Sequence, residues 1–270
     1  MTLTPESLGT APGRGRLTGR RIVVVGTGTR PSEDPDAPIG NGRGIAVLCA
    51  REGANVACVD IDRDAAQFTA NLCEQEGGKA STIVADVRDA DECERLVNEA
   101  HDGLGGLDGL VANVGFGAGA GLAGTSPELW DDIFALNVRS HFLVARAALP
   151  ILEDGSSIVF IGSAASLRAG TRLPAYDASK AALFGVCRHV ALEGAPRGIR
   201  ANHVIPGPVD TPLGRYGSAN VERRSQIRLP LGRQATAWDI AYPTVFMLSG
   251  ESSYITGESL VVAGGLGQMG

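Results

Sequence analysis

Three residue types in one stretch of the chain can do proton chemistry together. Ser163 is followed by Tyr176 and, one helical turn later, by Lys180. A spacing of four puts Tyr176 and Lys180 on the same face of a helix. A free phenol ionises near ~10, too high for efficient proton exchange at neutral pH. An ammonium group beside it favours the phenolate and lowers that value. A serine hydroxyl can hold the oxygen that gains or loses charge. The chemistry suggested is proton transfer at an oxygen, coupled to a second event at the attached carbon.

The flanking sequence supplies elements able to place these groups. Ser157 to Gly162 is an apolar run that reads as a buried parallel strand, so Ser163 falls at its carboxyl end, where open α/β sheets bind ligands. Beyond Pro174 the pattern reads as a helix over Tyr176–Leu192. Upstream, Arg21–Val25 is a β-branched strand ending in Gly26, Ile45–Glu52 a helix stopped by Gly53, and Asn55–Asp60 a second strand. Strand, glycine turn, helix and strand make a βαβ unit. Gly26 permits a sharp turn, while Gly40 and Gly42 let backbone amides approach a pyrophosphate. Asp60, ending the second strand, suits the hydroxyls of an adenosine ribose. Strands and helices then alternate: helices over Asp64–Glu76 and Asp89–Leu104, strands over Lys79–Ala85 and Leu107–Ala112, one long helix from Ser126 to about Leu149, and strands over Ile199–Ile205 and Leu260–Ala263. The expected fold is a single-domain, doubly wound parallel sheet in three α/β/α layers.

Length and composition narrow the function classes. A chain of 270 residues fits one large α/β domain. A net charge of -6 argues against nucleic acid and against an anionic membrane surface as partner. No run of eighteen apolar residues is present, which argues against a membrane span. The five cysteines, at irregular spacing, suggest reduced thiols in a cytoplasmic protein. The four histidines are scattered and form no metal-ligand pattern. Residues 1–18, rich in Gly, Pro, Thr and Arg, read as a flexible arm preceding a catalytic domain over 19–270.

From about Leu17 to Gly267 the chain resembles the short-chain dehydrogenases/reductases of the single-domain type. The resemblance rests on Gly26 with Gly40-Asn41-Gly42, Asp60, Asp86-Val87, Asn113-Val114-Gly115, Asn137, Ser163, Tyr176 with Lys180, Pro206 through Pro212, and Ile255-Thr256-Gly257. It implies hydride transfer between a nicotinamide and a secondary alcohol or ketone. Tyr176 would be the acid/base, Ser163 its partner at the substrate oxygen, and Lys180 the group that lowers the Tyr176 pKa and holds the nicotinamide ribose. Asn137 would anchor a relay water. The implied cofactor contacts also include Asp60 and Ile61 at the adenosine ribose, Asp86 and Val87 around the adenine, and Asn113 and Gly115 along the dinucleotide. Pro206, Gly207, Val209 and Thr211 would sit at the nicotinamide amide. A carboxylate at Asp60 favours NAD over NADP. The resemblance further implies a homotetramer or homodimer built on the helices after Asp131 and after Tyr176. Two alternatives stand beside this reading: an NADPH-dependent ketoreductase of the acyl-carrier or polyketide type, and a dinucleotide-binding sensor without catalysis.

The chain also departs from the family pattern. Thirteen residues, Thr27 to Ile39, separate Gly26 from Gly40, where the family's turn is short. They carry three prolines and three acids and must loop out. The segment 207–230, with Arg215, Arg223, Arg224 and Arg228, resembles the family's substrate lid. Arg168 and Arg172 lie between Ser163 and Tyr176 and could meet an anionic substrate. His141, one turn past Asn137, could approach the site or a subunit contact.

Overall fold

The computed structural model describes residues 3–267, apart from 33, 35, 169 and 217–228. Seven parallel strands form one sheet in the order β3-β2-β1-β4-β5-β6-β7. They are β1 (Arg21–Val25), β2 (Asn55–Asp60), β3 (Ala80–Val84), β4 (Gly109–Ala112), β5 (Ser157–Ile161), β6 (Arg200–Pro206) and β7 (Ser259–Val262). The central strands are buried from end to end, as their near-continuous apolar sequences require.

Helices cover both faces. On one side lie α2 (Asn41–Arg51), α3 (Arg63–Gln75) and α9 (Ala237–Leu248), packing Ile45, Leu48, Ile240 and Leu248 against Val24, Val111 and Val159. On the other lie α4 (Ala90–Leu104), α6 (Ser140–Ala148) and α7 (Pro174–Gly194), packing Leu96, Val144 and Cys187 with Ile158 and Phe160. Strand order reverses between β1 and β4, which pair in register from Ile22↔Gly109 to Val25↔Ala112. The crevice at that reversal is where doubly wound folds bind ligands. The expected fold class is the observed one.

Two expectations about local structure need correction. The long helix after Ser126 is not one helix. Ser126 caps α5 (Pro127–Phe134) by accepting from the Leu129 N–H at 3.2 Å. The chain then makes a π-helical turn over Ala135–Arg139 before α6 begins. Asn137 sits in that turn, and π turns shift backbone groups out of the regular ladder, often at functional sites. Second, the N-terminal segment is folded from residue 3. Thr4 caps α1 (Pro5–Leu8), the Ser7 hydroxyl donates to Asp239 Oδ1 at 2.6 Å, and Leu17 is buried. Its composition suggested a free arm, but its order comes from distant partners. The carboxylate of Glu52 accepts from the backbone N–H groups of Arg14 and Arg16 and from the Arg16 guanidinium. The Arg51 guanidinium donates to the Gly9 carbonyl.

Candidate active site

The site is built where β1, β4, β5 and β6 end. Gly26 leaves β1 with φ +90, a conformation that glycine adopts without strain. A Cβ on Gly42 would lie 1.8 Å from the Gly26 carbonyl oxygen, so only glycine lets α2 approach this closely. Asn113, just past β4, fixes the same turn from the other side: its Nδ2 donates to the Gly26 carbonyl at 2.8 Å. Gly40 precedes α2, with its N–H on Thr29 Oγ1, and Asn41 opens the helix with a buried Oδ1 that has no partner among the described residues. The result is a cradle of backbone at a helix N-terminus, a shape and polarity that fit the diphosphate of a dinucleotide.

Asp60 closes β2 beside this cradle. Its Oδ2 accepts from the Gly28 N–H at 2.7 Å, and its Oδ1 accepts from the Asp62 N–H at 3.2 Å. Thus the first residues of the insertion brace this carboxylate. Ile61, next to it, is exposed. Arg43 turns away to α3: its Nε donates to Thr69 Oγ1 and its guanidinium lies over the Phe68 ring at 4.7 Å. Burial lowers its pKa, and the nearby Asp60 charge opposes that shift. Asp86 is held by Arg88, at 2.8 Å, and Val87 is buried beneath it.

The groups read as catalytic converge at the ends of β4 and β5. Ser163 follows β5 and caps a short 3-10 turn, its Oγ accepting from the Ala165 N–H at 3.2 Å. Tyr176 lies in the first turn of α7, half-buried, with the backbone of Gly117 against its ring; a Cβ there would come within 3.0 Å of the ring carbons. Lys180 is 4% exposed. Its Nζ donates to the carbonyls of Ile161 at 3.2 Å and Val114 at 3.5 Å. A side chain on Gly115 would meet that Nζ at 2.8 Å. Burial lowers the Lys180 pKa to about 8.

Asn137 is fully engaged through its side chain. Oδ1 accepts from the Phe116 N–H, and Nδ2 donates to the Phe116 carbonyl and to Ser179 Oγ, all within 2.8–2.9 Å. It therefore clamps the loop after β4 onto α7. On the far side, Pro206 ends β6, a Cβ on Gly207 would meet Ala263 Cα at 2.7 Å, Val209 is buried and bridges to Ala235, and Thr211 Oγ1 accepts from the Gly214 N–H.

Other expectations sort differently. Half of the segment read as a lid, including Arg223, Arg224 and Arg228, lies outside the described residues. Its root is a short helix, α8 (Pro212–Tyr216), where Arg215 bonds Asp210 and reaches Asp34 of the insertion at 2.9 Å. Arg168 and Arg172 are both exposed. Arg172 has φ 62, and its carbonyl accepts from Gly121, which ties the two loops bordering the site. Sequence reasoning missed Gly28, Gly117 and His203. Gly28 lay within the insertion, Gly117 within a glycine-rich loop with no pattern, and His203 within an apolar strand.

A three-layer sheet with a glycine cradle at its switch point and a Ser-Tyr-Lys group at the next strand end defines a dinucleotide-dependent oxidoreductase. A family model described as enoyl-(acyl carrier protein) reductase matches residues 38–267, beginning just past the bulk of the insertion. The chain is similar to 2-(S)-hydroxypropyl-CoM dehydrogenase 3 of Xanthobacter autotrophicus, with 34% identity over 93% of this chain and 98% of that one. It is similar to 3-oxoacyl-[acyl-carrier-protein] reductase of Thermotoga maritima, with 31% identity over 93% and 99%. A blue fluorescent protein from a metagenomic library, solved in complex with NADPH, superposes with a TM-score of 0.84 and 31% identity, covering 93% of this chain and 99% of that one. The chain belongs to the short-chain dehydrogenase/reductase family and is an oxidoreductase acting on CH–OH groups with a nicotinamide dinucleotide.

Proposed function

We propose that the protein is an NAD(H)-dependent dehydrogenase that interconverts a secondary alcohol and a ketone, with Tyr176 as the acid/base. The observation that carries this reading is the housing of Lys180: a nearly buried ammonium one turn from Tyr176 that donates to two carbonyls and meets no carboxylate among the described residues. With no carboxylate to neutralise it, its charge is available to stabilise the Tyr176 phenolate. In the oxidising direction Tyr176 takes the proton of the alcohol, and in the reducing direction it gives one to the new alkoxide. Ser163 donates its hydroxyl to the same oxygen. The nicotinamide, when bound, supplies the hydride chemistry. Gly26, Gly40, Asn41 and Gly42 would hold the diphosphate, Asp60 and Ile61 the adenosine ribose, Asp86 and Val87 the adenine, Asn113 and Gly115 the middle of the molecule, and Pro206, Gly207, Val209 and Thr211 the amide. Because the Asn137 side chain is occupied, a relay water near Lys180 would be held by its backbone carbonyl.

Asp60 supports NAD over NADP, since its carboxylate would accept from a ribose hydroxyl and repel a 2′-phosphate. Arg43, the nearby cation, is spent on Thr69 and Phe68. The NADPH-bound neighbour keeps an NADPH-dependent ketoreductase as the second reading. Five free buried thiols support a reducing, cytoplasmic compartment. Exposed Trp130 on α5, Phe142 on α6 and Leu192 on α7 support a homo-oligomer, which light scattering after gel filtration would test. The functional test is nicotinamide absorbance with a panel of alcohols and ketones, run with both cofactors. Turnover with NADH well above NADPH supports the reading. Tight dinucleotide binding without turnover on any of the panel would instead favour the sensor.

A further inference from the structure

Close to Lys180, on the sheet face covered by α6 and α7, lie two histidines that the mechanism does not use. His203 is in the middle of β6 and pairs in register with Phe160 of β5. His141 comes from α6 and stacks on the Phe160 ring, with centroids 6.1 Å apart. Both are wholly buried. Phe184, one turn after Lys180 on α7, meets the His203 ring edge-on at 5.2 Å. The His203 Nε2 stands over the Cα of Gly162, 2.1 Å from where a Cβ would be. Gly162 lies between Ile161, whose carbonyl takes the Lys180 ammonium, and Ser163. Three elements thus bring two imidazoles and an ammonium to one strand end.

The polarity of these rings is not explained by packing. His203 Nδ1 and Nε2 and His141 Nε2 have no protein partner among the described residues. The tautomer of His141 follows from its neighbour. The Ser140 hydroxyl spends its single proton on the Leu136 carbonyl, so its oxygen accepts from His141 Nδ1–H at 3.2 Å. Burial, with the Lys180 charge second, holds His203 down to about 3. Burial holds His141 well below its ordinary value too; Lys180 and His203 add to the effect, and the Ala112 carbonyl opposes it weakly. Both are neutral imidazoles at working pH, each with a lone pair and one N–H. Buried polar groups of this kind are paired in native proteins, and a water that bridges several of them is the usual partner.

We propose that His141, His203 and Lys180 enclose a buried water site beside the catalytic lysine, and that these waters, accepting from the ammonium and held by the imidazoles, keep Lys180 charged. This rests on the assignment of Tyr176 and Lys180 above. The groups around Lys180 are the carbonyls of Val114 and Ile161, Asn137 of the π turn, His141 of α6 and His203 of β6, with Tyr176 one turn back on its own helix. Among the described residues no carboxylate acts on it. Acceptors reached through water are then its main remaining support. The two histidines act as positioning residues, and their influence on Tyr176 runs through Lys180.

The test needs neither substrate nor cofactor. Ultraviolet difference titration of the full-length protein, with the Tyr176→Phe trace subtracted, follows the ionisation of the Tyr176 phenol. His203→Leu removes the water's anchor, weakens the ammonium, and is expected to raise the Tyr176 midpoint by about one pH unit, a tenfold effect. His203→Gln keeps a hydrogen-bonding group and should restore most of that shift. His141→Leu should move the midpoint in the same direction by less. A packing role alone would move the melting temperature and leave the midpoint in place. If the Leu variants are folded by circular dichroism and titrate as wild type, the proposal is wrong. Should His203→Leu not fold, His141→Leu decides. Lys180→Met separates the two levels: if it too leaves the midpoint unchanged, the Tyr176–Lys180 reading fails and the water site falls with it.

Discussion

Glu52 and Lys180 are both buried charges, and they are housed in opposite ways. Glu52, 0% exposed, receives the guanidinium of Arg16 at 2.7 Å and two backbone N–H groups of the N-terminal segment. Burial alone would raise its pKa, but these donors together outweigh it and lower the pKa below 4.5. Lys180, 4% exposed, has two carbonyls and no anion among the described residues, and burial brings it down to about 8. A buried charge that is fully matched does structural work and projects little field. One left without a counter-ion is costly and keeps its field for a neighbouring group. The first helps tie down the N-terminal segment; the second is the charge that the proposed mechanism assigns to Tyr176.

The largest effects should come from breaking the second. Tyr176→Phe removes the proton carrier and leaves Lys180 in place, so kcat is expected to fall by roughly 10²–10⁴-fold while dinucleotide affinity changes little. Absorbance kinetics and fluorescence titration check the two halves. Glu52→Gln breaks the matched charge instead and should cost about 3 kcal/mol of stability at neutral pH, read by denaturant unfolding, with kcat per folded molecule nearly unchanged. The same group predicts a pH dependence. Its folded pKa lies below the unfolded value of 4.5, so its contribution is complete above that pH and is lost as pH falls through the folded value. Melting temperature against pH should therefore drop more steeply below about pH 4.5 in wild type than in Glu52→Gln. A smaller effect is expected at the adenosine end. Asp60→Ala should lower the NAD:NADP ratio of kcat/KM by roughly tenfold to a hundredfold. An unchanged ratio would remove Asp60 as the selector.

What was legible in the chain follows the same division. The β-branched runs bounded by glycine at Gly26 and Gly53, and the helix carrying Tyr176 and Lys180, are local patterns. They carried the parallel sheet and the placement of Tyr176 and Lys180 on one helix directly. Order in residues 3–18 was not legible, because it depends on Glu52 and Asp239, which no local pattern ties to it. The π turn was not legible either: Asn137 lies in a helical sequence, and the bonds to Phe116 and Ser179 that accompany the turn are tertiary. His203 reads as an oddity in an apolar strand until the fold sets it against Gly162.

The insertion allows the finest comparison. Near Asp60 it is tied down by the Gly28 N–H, partly buried; at its tip Asp34 meets Arg215 at 2.9 Å with both side chains nearly half exposed. Exposed pairs of this kind contribute about 0–1 kcal/mol. Arg215 also keeps two bonds to Asp210 when Asp34 is gone. Asp34→Ala is therefore expected to change stability by less than about 1 kcal/mol and the dinucleotide KM by less than about twofold. The measurement also works in reverse. A tenfold rise in KM with stability unchanged would mean that the tip, and not only the root at Gly28, takes part in holding the cofactor. The insertion would then belong with Lys180 among the functional parts of the molecule, rather than with tolerated surface loops.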